Sequence, residues 1–350
     1  MKTRTAYIPN GEAALVPSCL PRRGITRGGM ALLAAAILAC PVASEAAITF
    51  SFNFTDPAGT GWNDSTYGLT RQSALSYAAN TLGSYFNATA TIGYTVTSIN
   101  DPNTNTLASA SSSSYGPAAP GFEPTVVEYK LQSGYSGPVS YTDGSINWNF
   151  GQPWNYSLTS SGVATNQYDF VSTAMHELLH SFGFLSAIGS DGTGLLSGKT
   201  IGDPDLWYVF DKYLATSSGA NLINTNTFAF NPSLLGTLTG GAAAMRFNGT
   251  AAAATFTNGV PIYTPTTWSL GSSGSHTDDL TFNGTSYSNL LMNAATEMGP
   301  GLRTLSSYET GILQDIGYTI VPEPGSAALC LTGACAAYLF HRRRRKPVGS

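Results

Sequence analysis

His176-Glu177-Leu178-Leu179-His180 is the stretch that most narrows what this chain can become. Residues four apart on an α-helix stand one above the other, so the two histidines can aim two imidazoles at one point if this segment is helical. A hydrolytic metal site needs three protein ligands, a general base and an open position for water. The chain has four histidines, and His341 sits in a basic tail, which leaves His276 to supply a third ring. Glu177, next to the first ligand, is the candidate base. The bland reading is two histidines and an ordinary glutamate on a solvated helix face, with His276 bonded in a loop.

Both ends of the chain read as addressing segments. Arg22, Arg23 and Arg27 precede an apolar run from Met30 to Ala39, and small residues follow at Ser44 and Ala46. That is the order of a signal peptide, with cleavage near Ala46 or Ala47. The arginine pair matches the twin-arginine route loosely, and Leu38 fits poorly before a lipid-modified Cys40. At the other end Val321-Pro322-Glu323-Pro324 leads into an apolar segment, Gly325 to Phe340, and then His341-Arg342-Arg343-Arg344-Arg345-Lys346. An apolar stretch followed by arginines reads as a membrane segment with its basic end in the cytoplasm. It is short against the ~17–25 residues of a comfortable span. Three parts follow: 1–46 as signal peptide, 47–320 as the folded body, and 321–350 as a C-terminal sorting and anchoring segment.

Residues 47–320 carry six basic residues (Arg71, Lys130, Lys199, Lys212, Arg246, Arg303) and 17 acidic ones, a net charge of −11 (6 − 17). A surface so short of lysine and arginine argues against nucleic acid as a partner. All four cysteines (Cys19, Cys40, Cys330, Cys335) lie outside the body, so no disulfide holds it together.

Periodicity sketches the body. Ile48, Phe50, Phe52 and Phe54 alternate with polar residues as in a half-buried strand. Leu69, Leu75, Tyr77, Ala78, Leu82 and Phe86 recur at helical spacing. Strands are expected over 89–99, 125–131 and 145–150, and a loop or weak edge strand over 108–121. A helix over 168–182 carries the histidines, 206–214 forms a short amphipathic turn or two, and a last helix runs over 304–316 with Gly317 as its stop.

The stretch continues Ser181-Phe182-Gly183-Phe184-Leu185-Ser186, and here the chain resembles the metzincin clan of zinc proteases, whose motif places a glycine three residues past the second histidine. In the compact form a third histidine follows three residues later; Ser186 stands there, which rules that form out. The leishmanolysin-like branch keeps Gly-Phe and inserts a long segment before the third histidine, as Gly183-Phe184 followed much later by Ser275-His276 does. Leu290-Leu291-Met292-Asn293 resembles the clan's methionine turn, with Met298 as the other candidate. The end of the chain resembles the PEP-CTERM sorting signal of exported bacterial proteins.

These resemblances imply an α+β, two-lobed metzincin-like domain. Its upper lobe would hold a twisted mixed sheet with the active-site helix, and its irregular lower lobe a C-terminal helix. They imply one Zn2+ held by His176, His180 and His276, Glu177 as general base, Gly183 as the helix-exit turn and Met292 beneath the metal. The activity implied is that of an exported zinc metalloendopeptidase acting on protein or peptide along an edge strand, with 292–303 walling its specificity pocket. The sorting signal implies an exosortase-type partner, transient anchorage in the membrane and residence in the cell envelope or outside the cell. The competing readings are a non-catalytic envelope or matrix protein, and a gluzincin-type site with Glu309 as third ligand. Asp278 or Asp279 could orient an imidazole, and Asp203, Asp205 and Asp211 could hold calcium, though not with the spacing of an EF-hand.

Overall fold

The computed structural model describes residues 48–241, 244–282 and 290–321. The expected signal peptide and, beyond Val321, the sorting and anchoring segment lie outside the described residues. Among the described residues no helix is long and apolar enough to cross a membrane.

The chain is a mixed α+β fold. Strand β1 (Ile48–Phe54) is followed by helix α1 (Gly68–Gly83), β2 (Ala90–Ile99), β3 (Ala108–Ser111), β4 (Gly121–Glu123), helix α2 (Val126–Ser133) and β5 (Gly144–Asn149). Four of these strands make one sheet in the order β1-β2-β5-β3. The first three are parallel, and β3 pairs antiparallel with β5, Ala110 opposite Ile146. Short strands β6 (Trp154–Asn155) and β7 (Tyr168–Asp169) lead into helix α3 (Phe170–Ser181), the helix of the paired histidines.

Residues after α3 form mostly short pieces. Strand β8 (Leu206–Tyr208) pairs with β4, and β9 (Leu214–Thr216), β10 (Met245–Phe247) and β11 (Val260–Ile262) make a small antiparallel sheet. Helices α4 (Thr250–Thr255), α5 (Asp279–Phe282) and α6 (Ser307–Asp315) complete the body.

Two sequence expectations give way here. The segment 125–131, rich in β-formers, is helical over Val126–Ser133 because Thr125 and Glu128 form a reciprocal capping box at its start. Local hydrogen bonds at the helix entry outweigh a β propensity spanning only ~1 kcal/mol. In α1 the buried face is Ala74, Leu75, Ala78, Ala79 and Leu82, while Leu69 and Tyr77 point outward.

Helix α3 is buried along its whole length, so it cannot rely on an amphipathic stripe. Aromatic clusters hold both its ends. Phe170 packs on Trp148 with ring centroids 4.2 Å apart and on Trp62 at 6.0 Å, and Phe182 meets Phe86 at 5.3 Å. Such pairs contribute about 0.5–1.5 kcal/mol each beyond the area they bury. At the N-terminus Asp169 accepts from Ser172 N at 3.0 Å, and Arg303 grips the same carboxylate through Nε (3.0 Å) and Nη2 (2.8 Å). A buried anion at a helix N-terminus favours the dipole. A second buried pair joins Lys130 to Asp143 at 2.8 Å.

Behind the other end of α3, Glu128 is 1% exposed and accepts from Thr125 N and Gln132 Nε2, each at 3.2 Å. Burial pushes its carboxyl up to about 8, against hydrogen bonds that pull it down. The folded chain therefore holds a proton that the unfolded chain has released, and stability falls as pH rises from about 5 through about 8. Glu128→Gln should flatten that fall by on the order of a few kcal/mol. Thermal unfolding of both proteins between pH 5 and 9 checks it; parallel curves would contradict the assignment. Asp211 and Asp279 are also raised and act in the same direction, so the comparison with the parent isolates Glu128.

Candidate metal centre

Helix α3 stacks His176 and His180 on one face, and the loop before α5 brings His276 to them. His276 Nε2 lies 3.1 Å from His176 Nε2 and 3.1 Å from His180 Nε2. Each ring's other nitrogen meets a backbone carbonyl: His176 Nδ1 and Leu291 O at 2.6 Å, His180 Nδ1 and Phe184 O at 2.8 Å, His276 Nδ1 and Ser272 O at 2.8 Å. A carbonyl only accepts, so every Nδ1 carries the proton and every Nε2 presents a lone pair.

Burial lowers the pKa of all three rings, to about 3 for His180, and keeps them neutral. Three lone pairs then face one another with no proton to share. That arrangement repels itself and fits a metal ion, so the chemistry of the donor set passes the test the sequence posed. Among the described residues no other group of three or more histidine, cysteine or carboxylate ligands converges.

Glu177 is 9% exposed, and its carboxylate accepts a hydrogen bond from the backbone N–H of Ala110 on β3. Burial pushes the carboxyl up to about 7, partly offset by that bond. The antiparallel edge of the sheet thus runs beside the glutamate. This resolves the segment 108–121, read as a loop or weak edge strand, into a short edge strand at 108–111.

Gly183 has φ +93°, a conformation open to glycine, and its N–H closes the helix on His180 O at 3.1 Å. The chain turns there, and Phe184 O reaches His180. Met292 is fully buried. Its N–H donates to Glu309 Oε1 at 2.7 Å, and its carbonyl accepts from Thr277 N at 2.9 Å. The preceding residue, Leu291, orients His176, so one turn supports the neighbourhoods of two rings. Met298 is half-exposed.

Glu309 is not a ligand. Its carboxylate caps α6 through Ser306 N and Oγ, each at 2.7 Å, and holds Met292 N, which removes the gluzincin-type alternative. Asp278 and Asp279 do not orient an imidazole: Asp279 accepts from Ala294 N (2.8 Å) and Ala295 N (3.1 Å), and Asp278 from Thr281. Nor do Asp203, Asp205 and Asp211 gather around an ion. Asp203 is exposed. Asp205 accepts from Gly194 N and Leu206 N, and Asp211 from Ser186 and its neighbours. The sequence reading missed Glu309's role, although Ser306-x-x-Glu309 has the form of a capping box.

A cavity of about 170 Å3 is lined by Ser172, Leu291, Asn293, Met298 and Leu302 among others, and Leu291 is the residue whose carbonyl meets His176. Apart from Ser172 its wall belongs to the segment 290–302, which is tied to the start of α3 where Gly301 N donates to Asp169 Oδ2 and Ser172 Oγ donates to Leu302 O. Two roomier hollows, of about 520 and 440 Å3, lie around 221–232 and around 56–71, and no histidine lines any of the three. No protein-family model, curated protein or solved structure matches this chain.

Proposed function

We propose that the protein is a zinc-dependent endopeptidase of metzincin type with two lobes flanking the cleft. The observation that carries the reading is the meeting of three neutral Nε2 atoms beside a buried glutamate on the same helix. Tetrahedral zinc at ~2.0–2.1 Å from each nitrogen separates its ligands by roughly 3.3 Å, close to the spacing here. When bound, zinc would polarise the scissile carbonyl and acidify the attacking water.

The chain's residues supply the rest. His176, His180 and His276 hold the ion, and their Nδ1–H···O=C bonds fix ring orientation and raise the basicity of the ligating nitrogens. Glu177, poised near neutrality, takes the proton of the attacking water and delivers it to the departing amine. Edge strand β3 offers backbone groups along which an extended peptide can align. The cavity lined by Leu291 and Leu302, with Ser172, Asn293 and Glu297, would take one small or medium side chain of that peptide. Its export, a PEP-CTERM-type sorting signal and an exosortase-type partner complete the proposal and place substrate cleavage outside the cytoplasm.

The purified protein is expected to contain one zinc per chain and to cleave an unfolded protein substrate in a chelator-sensitive manner, with activity restored by added zinc. His276→Ala is expected to weaken zinc binding by more than the ~10–100-fold typical of an outer partner's loss. Protein that folds, carries no stoichiometric metal and cleaves nothing would instead favour a non-catalytic envelope role.

A further inference from the structure

The three imidazoles are oriented by backbone carbonyls, so something must fix those carbonyls in turn. For two of the rings the structure traces this to one carboxylate. Asp211 lies in the single turn between β8 and β9 and has no exposed surface. Its Oδ1 accepts from Ser186 Oγ at 2.6 Å, and its Oδ2 from Ala187 N at 2.9 Å and Tyr208 N at 3.0 Å. Ser186 Oγ also accepts from Ile188 N at 3.1 Å. The segment leaving α3 is thereby pinned at 186–188, two residues beyond the Phe184 carbonyl that orients His180.

The same segment docks the third ligand. Ser186 N donates to Ser275 Oγ at 3.1 Å, and Ser275 immediately precedes His276. Gly274 sits against Ser186 closely enough that a Cβ would lie 3.4 Å from its side chain. A carboxylate buried without a cation is costly unless its lone pairs are filled. Among the described residues the salt bridges are Lys130–Asp143 and Arg303–Asp169, so hydrogen-bond donors alone hold Asp211. An apolar side chain would avoid the desolvation cost but would release the donors that shape the exit of α3.

We propose that Asp211 is the positioning residue of the metal centre. By holding Ser186 and Ala187 it sets the Phe184 carbonyl behind His180 and seats the Ser275–His276 loop, so one carboxylate places two of the three rings. The proposal rests on the zinc reading above and deepens it.

The test uses the purified full chain, with Zn2+ affinity measured by competition with a chromophoric chelator and ligand geometry read from the visible absorption of bound Co2+. Ser275→Ala and Asp211→Asn are each expected to weaken Zn2+ binding about ten- to hundredfold and to lower the Co2+ absorption. Tyr318→Phe is the structural control: it removes the Tyr318 OH bond to Phe182 O (2.8 Å) at the same helix end. It should lower the unfolding temperature of the apo-protein while leaving Zn2+ affinity within about twofold of the parent. If Asp211→Asn does not fold, Ser186→Ala, which removes the bond to Asp211 Oδ1, decides the matter by the same two readouts. Variants that bind Zn2+ within about twofold of the parent, with the parent's Co2+ spectrum, overturn the proposal and leave the zinc reading standing. A folded parent that binds neither ion at one per chain overturns both.

Discussion

On the proposed zinc-peptidase reading, Glu177→Gln is expected to leave the zinc content of the protein unchanged and to lower kcat on an unfolded protein substrate by about 10^2–10^4-fold. The carboxylate is not among the three converging ligands, so metal affinity is not expected to depend on it. Glutamine keeps the volume and can still accept the Ala110 N–H bond through its carbonyl oxygen. It cannot take a proton. Because the lost interaction is made in the transition state, kcat and kcat/KM should fall together with little change in KM. A zinc-loaded variant that turns over at the parent's rate would remove Glu177 from the mechanism and the protease reading with it.

Gly183→Ala is expected to cost about 3–5 kcal/mol of folding stability, measured by denaturant unfolding of the apo-protein. Two effects combine. The backbone at φ +93° is one an L side chain rarely adopts, and a Cβ there would overlap the Glu128 carboxylate. Glu128 cannot retreat, because it caps α2 and is bonded to Gln132, whose amide also donates to Ile316 O at 2.9 Å. The strain is relieved by moving the chain at 183–184, which draws Phe184 O away from His180 Nδ1. Zinc affinity should therefore drop alongside stability. A loss below about 1 kcal/mol would show that the turn is not the constraint its geometry implies.

How much of this could be read from the residues alone depends on whether the interaction was local. The spacing of His176 and His180 implied a helix and a shared face, and α3 has both. The scarcity of histidine singled out His276, which the structure brings within 3.1 Å of the other rings' Nε2 atoms. The alternation of Ile48 to Phe54 and the apolar run before Gly317 likewise correspond to β1 and α6. The failures came where two local signals competed. Val126, Val127 and Tyr129 suggested a strand, and the Thr125–Glu128 capping box decided for a helix. Glu309 is a conceivable ligand because carboxylates bind metals, yet its carboxylate caps α6 and holds the Met292 amide. Asp211 was legible only as one acidic residue of three. Its hold on Ser186, and through Ser186 on Ser275, spans distant parts of the chain and leaves no periodic trace in sequence.

The body's sparse cations are largely spent inside it. Lys130 and Arg303 are locked in buried ion pairs, and Arg71 and Arg246 are half-buried, leaving Lys199 and Lys212 outward. Its acids are mostly inward too: Glu128, Asp143, Asp169, Asp211 and Glu309 are among the buried ones, and Asp191, Asp203 and Glu297 are exposed, so the described body meets its surroundings with few charges of either sign. So sparse a charge pattern casts a weak field, and what there is reaches only ~8 Å at physiological ionic strength. Selection among partners would thus fall to short-range contact and shape rather than to steering through the solvent.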